Sequence, residues 1–118
     1  MCSKETIEKI NEILAPFLPY RNATKDDGYQ QLDNALEYYY SHYPDLYFSS
    51  KKCPICGFLM GTEKHKVNSF KEIRKTVGGH IFCRKDNKVY ILPICEQCNH
   101  REGWFKLKSD EGYLLPAP

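Results

Sequence analysis

Residues 91–100 of the chain read Ile91-Leu92-Pro93-Ile94-Cys95-Glu96-Gln97-Cys98-Asn99-His100. The apolar residues before the first cysteine predict a β-strand, which Pro93 interrupts. Cys95 and Cys98 are spaced so that both sulfurs can reach one metal ion from the first turn of a helix. The sequence here therefore predicts a strand that runs into a helix and carries half of a metal site.

A matching cysteine pair stands upstream, in the run Cys53-Pro54-Ile55-Cys56-Gly57. The glycine after the second cysteine permits the tight turn of a metal-binding knuckle, whose backbone amides can point toward the thiolates. Two Cys-x-x-Cys pairs in one small chain predict a single tetrahedral site for structural Zn²⁺. Its four ligands would be Cys53, Cys56, Cys95 and Cys98.

The length and composition limit the class of protein. A chain of 118 residues has room for one small domain, or for a small domain with a helical arm. Its hydrophobic fraction of 42% predicts a globular rather than a disordered chain. No apolar stretch has the length of a signal peptide or a membrane span, so the paired cysteines favour metal over disulfides. We expect a soluble cytoplasmic protein with no membrane partner.

The charge is distributed unevenly along the chain. Residues 1–50 carry 4 Lys and Arg against 8 Asp and Glu, a net charge of −4, whereas residues 51–118 carry 13 against 7, a net charge of +6. A basic surface suits the backbone of a nucleic acid, although a solvated lysine-rich surface explains the same charge. If nucleic acid binds, the expected phosphate contacts are Lys51, Lys52, Arg84, Lys85, Lys88 and Arg101.

Two helices are predicted in the acidic half. An apolar stripe begins after the capping residue Ser3, and Pro16 ends it. A second, tyrosine-rich stripe runs from about residue 29 to Tyr43, with Asp26 or Asp27 available as the cap and Pro44 as the stop. The tyrosines form a packing face, a stacking platform for bases or a surface for a protein partner. Residues 1–50 are therefore predicted to be a helical arm, and residues 51–118 the zinc module.

The basic half predicts short strands around the cysteine pairs. Residues 58–60 suit a short strand, and residues 61–76 fit either a helix or strands. Residues 80–83 and 89–92 predict a hairpin, residues 104–107 a strand or an apolar arm, and residues 114–118 a loose tail. The predicted fold class is α+β.

The order of knuckle, hairpin and helix is similar to that of a treble-clef zinc finger. Over about residues 53–103 the chain resembles the zinc-containing HNH endonucleases. The resemblance lies in the order of three motifs, which are Cys53-x-x-Cys56, His80 and Cys95-x-x-Cys98-Asn99. The resemblance implies that His80 is the general base and that Asn99 helps to hold a catalytic Mg²⁺ or Mn²⁺. The chain departs from the family pattern at Gly79, where the family has Asp or His, and at Tyr90, where it usually has a second Asn.

Three functions are compatible with these patterns. The first is a non-catalytic, degenerate HNH-like module that binds nucleic acid or a protein. The second is a metal-dependent HNH endonuclease, with Asp86 or Glu96 as candidates for a replacement carboxylate. The third is a protein-interaction factor with purely structural zinc. Cys2 and Cys83 lack partners at ligand spacing and are expected to be ordinary thiols, and His65 and His100 are expected on the surface or at helix caps rather than on a second ion.

Overall fold

A computed structural model describes residues 18–47, 51–61, 65–68, 71–108 and 113–118, with residues 65–68, 71 and 72 described by their backbone. The strands are β1 (Tyr20–Asn22), β2 (Met60–Gly61), β3 (His65–Asn68), β4 (Lys71–Cys83), β5 (Lys88–Cys95) and β6 (Leu115–Pro116), and the helices are α1 (Ala35–His42) and α2 (Glu96–Asn99). The α+β class is therefore confirmed. The predicted first helix lies outside the described residues. Within them, no helix has both the length and the apolar character needed to cross a membrane.

Strand β4 is the centre of the sheet. Its second half pairs antiparallel with β5, from Thr76 opposite Cys95 to Cys83 opposite Lys88, and with β1 on its other edge. Its first half pairs with β2 in parallel and with β3 antiparallel. The predicted hairpin is thus correct but too short. Among residues 61–76, for which helix and strand were both open, those that the structure describes lie in β2, β3 and the start of β4.

Strand β5 is covered on both faces. Ile91, Leu92 and Ile94 are each at most 1% exposed, and a continuous apolar run is what a strand buried on both faces requires. Pro93 does not interrupt the strand, which continues to Cys95. The strand therefore delivers Cys95 directly to the start of α2, as the sequence predicted.

The C-terminal residues do not form a loose tail. Strand β6 pairs with Tyr90 and Ile91 of β5, and the Ala117 amide donates to the Val89 carbonyl at 3.0 Å. Leu115 is 8% exposed. The prediction was wrong because the outer edge of β5 presents backbone donors and acceptors that need partners, and a short strand satisfies them.

Helix α1 is shorter than predicted and starts later. The Asn34 side chain accepts a hydrogen bond from the Glu37 amide at 3.2 Å and donates to the Glu37 carboxylate at 2.7 Å, a reciprocal cap of the kind that fixes a helix start. Asp26 and Asp27 instead lie in a short 3-10 turn after Thr24. The pattern Asn34-x-x-Glu37 in the sequence marks the observed start of the helix. The helix ends just before Pro44, as expected.

Helix α1 packs on the sheet through its tyrosine face. Tyr39 is 1% exposed, and its hydroxyl donates to the Tyr113 carbonyl at 2.7 Å. Tyr38, Tyr40 and Tyr43 are half-buried against the same core, so the packing interpretation of the helical tyrosines is the one that the contacts favour. Strand β1 and helix α1 share one core with β4 and β5. The division into an arm of residues 1–50 and a zinc module of residues 51–118 stays a prediction.

Candidate metal centre

The first cysteine pair lies in a tight turn that backbone hydrogen bonds close. The Cys53 amide donates to the Phe58 carbonyl and the Gly57 amide to the Cys53 carbonyl, both at 2.8 Å. Gly57 has a φ of +81°, a conformation that glycine adopts without the steric cost of a side chain. The predicted role of this glycine in the knuckle is therefore confirmed.

The second pair faces the knuckle from the end of β5. Cys95 caps α2, and its sulfur accepts a hydrogen bond from the Cys98 amide at 3.4 Å. The Cys95 amide in turn donates to the Cys53 sulfur at 3.4 Å. These bonds join the strand end, the helix start and the knuckle into one unit.

The four sulfurs have the spacing of a metal site. All of them lie within 4.8 Å of one another, and the Cys56 and Cys95 sulfurs are 3.7 Å apart. A tetrahedral zinc–thiolate site with bonds of about 2.3 Å separates its sulfurs by about 3.8 Å. The predicted four-cysteine cluster is therefore confirmed, and it can hold a metal ion such as zinc. Cys83 is buried outside the cluster, and Cys2 lies outside the described residues.

Burial makes most of these thiols difficult to ionise without a cation. It is the main cause that raises the pKa of Cys53 and of Cys98 above the ordinary thiol value. Burial also opposes ionisation at Cys95, but hydrogen bonds from Cys98 and Arg74 outweigh it and lower the pKa of that thiol. A bound divalent cation would supply the positive charge that four thiolates, three of them buried, require.

Arg74 is a member of the site that the sequence analysis missed. Its guanidinium donates toward the Cys56 sulfur at 3.7 Å and the Cys95 sulfur at 3.9 Å, and it lies 4.0 Å from the centre of the Phe58 ring. Because a zinc ion with four thiolates carries a net negative charge, an adjacent arginine stabilises the centre. No local pattern around residue 74 indicated this role, which depends on the pairing of β4 with β2.

His80 and Asn99 line the same cavity, beside the metal centre. This cavity of about 530 Å³ lies between β4, the start of α1 and α2, and its walls include Asn22, Tyr29 and Thr76. The His80 ring lies against Tyr29, with ring centres 4.7 Å apart. Burial lowers the pKa of His80, so the imidazole is neutral at pH 7 and able to accept a proton.

Gly79 lies where a side chain would point toward Asn99. A Cβ atom at this position would be 3.4 Å from the Asn99 amide oxygen, but only 2.4 Å from Cδ1 of Ile94. Ile94 is fully buried, so its side chain occupies the space that a carboxylate at residue 79 would need. A side chain at residue 79 would therefore require Ile94 to move.

Among the described residues, the charged side chains that line the cavity are Asp33 and Lys75. Asp86 lies in the hairpin turn, where it accepts hydrogen bonds from the Tyr90 hydroxyl and the Lys88 amide. Neither Asp86 nor Glu96 is among the described lining residues. No pattern in the sequence singled out Asp33, which lies two residues before the start of α1.

Three buried polar atoms in the cavity wall have no hydrogen-bond partner among the described residues. They are Asn22 Oδ1, Thr76 Oγ1 and His80 Nε2. The Asn22 amide nitrogen, in contrast, donates to the carbonyls of Cys98 and Arg101 at 2.8 and 2.7 Å and so fixes the end of α2. The cavity therefore offers donors and acceptors that the described part of the protein does not use.

Replacing Thr76 by valine should leave the protein as stable as the wild type or stabilise it by up to about 1 kcal/mol. Thr76 is 5% exposed, and removing a buried hydroxyl without a partner while keeping the side-chain shape relieves a desolvation cost. The measurement is urea unfolding of the metal-loaded protein. Thr76→Ser is the control, because it keeps the hydroxyl, loses the methyl and should be less stable. A Thr76→Val variant destabilised by more than about 1 kcal/mol would show that the hydroxyl has a partner.

The six predicted phosphate-binding residues lie in separate places. Arg84 and Lys85 are in the hairpin turn and Lys88 begins β5, while Lys52 is in the knuckle and Arg101 follows α2. The Lys51 ammonium lies over the rings of Tyr40 and Tyr47, at 4.6 and 5.0 Å. None of the six lines the cavity at His80 and Asn99. His100 is exposed at the end of α2, and the side chain of His65 lies outside the described part of the chain.

Comparisons with known proteins provide no further assignment. The chain matches no protein family, no curated protein and no solved structure. The structural result is thus a small α+β protein with a mainly antiparallel sheet and a four-cysteine cluster that can bind a metal ion.

Proposed function

We propose that this protein is a zinc-binding module of the treble-clef, HNH-like type that binds nucleic acid without cleaving it. Knuckle, hairpin and short helix occur in the order that the resemblance implies, and they share the four-cysteine cluster. The zinc is structural in this proposal, because four protein thiolates leave no coordination position for a substrate or water. The net charge of +6 over residues 51–118 supports a polyanionic partner.

The observation that carries the non-catalytic proposal is the packing at Gly79. An HNH nuclease needs a divalent ion on the scissile phosphate, and a Mg²⁺ site normally includes at least one carboxylate. In this protein a side chain at residue 79, the position next to Asn99, would collide with Ile94. His80 and Asn99 therefore line one cavity without a carboxylate at residue 79, where the resemblance implies an ion ligand.

A metal-dependent endonuclease is the second candidate, because Asp33 lines the cavity with His80 and Asn99. In that case Asp33 and Asn99 would bind the Mg²⁺ or Mn²⁺, and neutral His80 would accept a proton from the attacking water. The remaining alternative is a protein partner at the tyrosine-rich helix, where Tyr47 and Tyr113 are exposed. It gains support if the protein fails to bind nucleic acid.

We expect the zinc-loaded protein to bind DNA or RNA at low salt and to leave it uncut in Mg²⁺ or Mn²⁺. Cleavage of supercoiled plasmid and of single-stranded DNA is measured for the wild type beside His80→Ala, with binding measured in parallel. Cleavage that requires the metal and disappears in His80→Ala would contradict this proposal and support the endonuclease candidate. Absence of binding at tens of micromolar protein would contradict both candidates that act on nucleic acid.

A further inference from the structure

We propose that a groove beside the zinc knuckle, which we call the Trp104 groove, is a binding site for single-stranded nucleic acid. The groove has a volume of about 360 Å³, and its walls include Arg101, Trp104, Lys106 and Lys108. Trp104 would stack on an unpaired base, and the three cations would contact phosphates. The inference rests on the proposed function, since it names the surface and the form of nucleic acid.

Alternating burial builds the cationic side of the groove. Along residues 104–108, Phe105 and Leu107 are 3% and 8% exposed, whereas Lys106 and Lys108 are exposed and Trp104 is half-buried. Residues two apart in an extended segment lie on the same side. The segment therefore presents Trp104, Lys106 and Lys108 together while its two apolar residues hold it in the core.

Backbone hydrogen bonds attach this segment to the rest of the protein. Phe105 and Tyr20 exchange two of them, at 3.1 and 2.7 Å, and the Lys108 amide donates to the Pro54 carbonyl at 2.6 Å. The Lys108 ammonium also donates to the Cys56 carbonyl at 3.3 Å. The groove is thus built on the zinc knuckle and is positioned before any ligand binds, which lowers the entropic cost of binding.

The charge of the Trp104 groove distinguishes it from the cavity at His80 and from the cavities beside α1. Its described lining residues include three cations and no acid. In contrast, the cavity at His80 includes Asp33, and the cavities along α1 include Glu37. A polyanion is therefore attracted to the Trp104 groove more strongly than to those cavities.

A second arginine extends the aromatic side of the groove. The Arg84 guanidinium lies 4.0 Å from the centre of the Trp104 ring. Arg21 is also near this ring, at 5.3 Å, but it is paired with the Asp27 carboxylate at 2.7 Å, so its charge is offset. In sites for single strands, aromatic rings stack on bases and arginines add cation–π contacts.

The geometry favours a single strand over a duplex. Stacking on Trp104 requires a base whose face is accessible, and the bases of a duplex have both faces covered by their neighbours. No described helix is long enough to act as a base-reading element in a major groove, since α1 has 8 residues with its tyrosine face in the core and α2 has 4. We therefore expect little sequence preference and a strong dependence on salt.

The fluorescence of Trp104 provides a direct test, because the chain contains a single tryptophan. A mixed-sequence DNA strand of about 12 nucleotides is titrated into zinc-loaded protein at low salt, and both tryptophan emission and the anisotropy of a label on the DNA are recorded. We expect the strand to quench Trp104 as it binds, and a duplex of the same length to bind more weakly without quenching. Strand binding that leaves Trp104 emission unchanged would overturn the inference while leaving the proposed function intact.

Charge reversal of a lysine in the groove provides a second test of the inference. Lys106→Glu should weaken strand binding at least about fivefold and reduce its salt dependence, whereas the matched variant Lys25→Glu, in the 3-10 turn outside the groove, should change it less than about twofold. Both lysines are exposed, so the two variants should keep their zinc and their stability. Equal weakening of strand binding in the two variants would overturn the inference and leave the proposed function intact. Binding to the duplex but not to single strands would also overturn the inference alone, and no binding by the wild type to single-stranded DNA, RNA or duplex DNA would overturn the proposed function together with it.

Discussion

Removal of zinc is expected to unfold the half of the protein that contains the hairpin. The four cysteines join the knuckle, the end of β5 and the start of α2, and three of the four are buried. In small zinc domains the free energy of metal binding, about 10–16 kcal/mol, is in effect folding free energy. A strong chelator should therefore abolish the dispersed amide signals of β4 and β5 in an NMR spectrum, and readdition of Zn²⁺ should restore them.

The same expectation applies to each cysteine of the cluster. Cys53→Ser, Cys56→Ser, Cys95→Ser and Cys98→Ser should each lower the zinc content well below one ion per chain and prevent cooperative unfolding. Cys83→Ser is the matched control, because Cys83 is also buried but lies outside the cluster. It should bind one zinc and lose only about 1–2 kcal/mol of stability. A wild type purified without chelator that contains far less than one zinc would show that the cluster has another role.

Gly78→Ala is expected to destabilise the protein by about 3 kcal/mol or more. A Cβ atom at residue 78 would lie 2.5 Å from the Leu36 backbone nitrogen and 2.7 Å from the Ala35 carbonyl carbon. These are backbone atoms of α1, so no change of rotamer can relieve the contact, and the helix must move away from β4. Overpacking of this kind costs about 1–3 kcal/mol in cores that can adjust and more in those that cannot. Urea unfolding of the zinc-loaded variant measures the loss.

Gly103→Ala is the matched control for this substitution. A Cβ atom at residue 103 would have no described atom within 4 Å, but the φ of Gly103 is +85°, which costs an alanine about 1–2 kcal/mol. Because both variants replace glycine by alanine, the effect on the unfolded chain is the same and cancels in the comparison. If Gly78→Ala is as stable as Gly103→Ala, α1 does not pack closely on β4.

The metal centre was predictable from the sequence because its ligands are specified locally. Cys-x-x-Cys spacing, Gly57 with its positive φ and the strand that ends at Cys95 are each fixed by a few neighbouring residues. Helix α1 shows the limit of such patterns. Its periodic tyrosines suggested a start near residue 29, but the helix starts after Asn34, which forms hydrogen bonds with Glu37. Hydrogen bonding at the helix end thus outweighs hydrophobic periodicity.

The sequence by itself determined the cysteine cluster, the hairpin that leads into it and the α+β class. Only the tertiary structure decided that His80, Asn99 and Asp33 line one cavity, that Arg74 contacts the thiolates, and that Trp104 lies among exposed cations. It also decided that Ile94 fills the space beside Gly79. The physical reason is that cysteine spacing and turn geometry depend on a few bonded neighbours, whereas these contacts join residues far apart in the chain, and their positions follow from strand register and core packing.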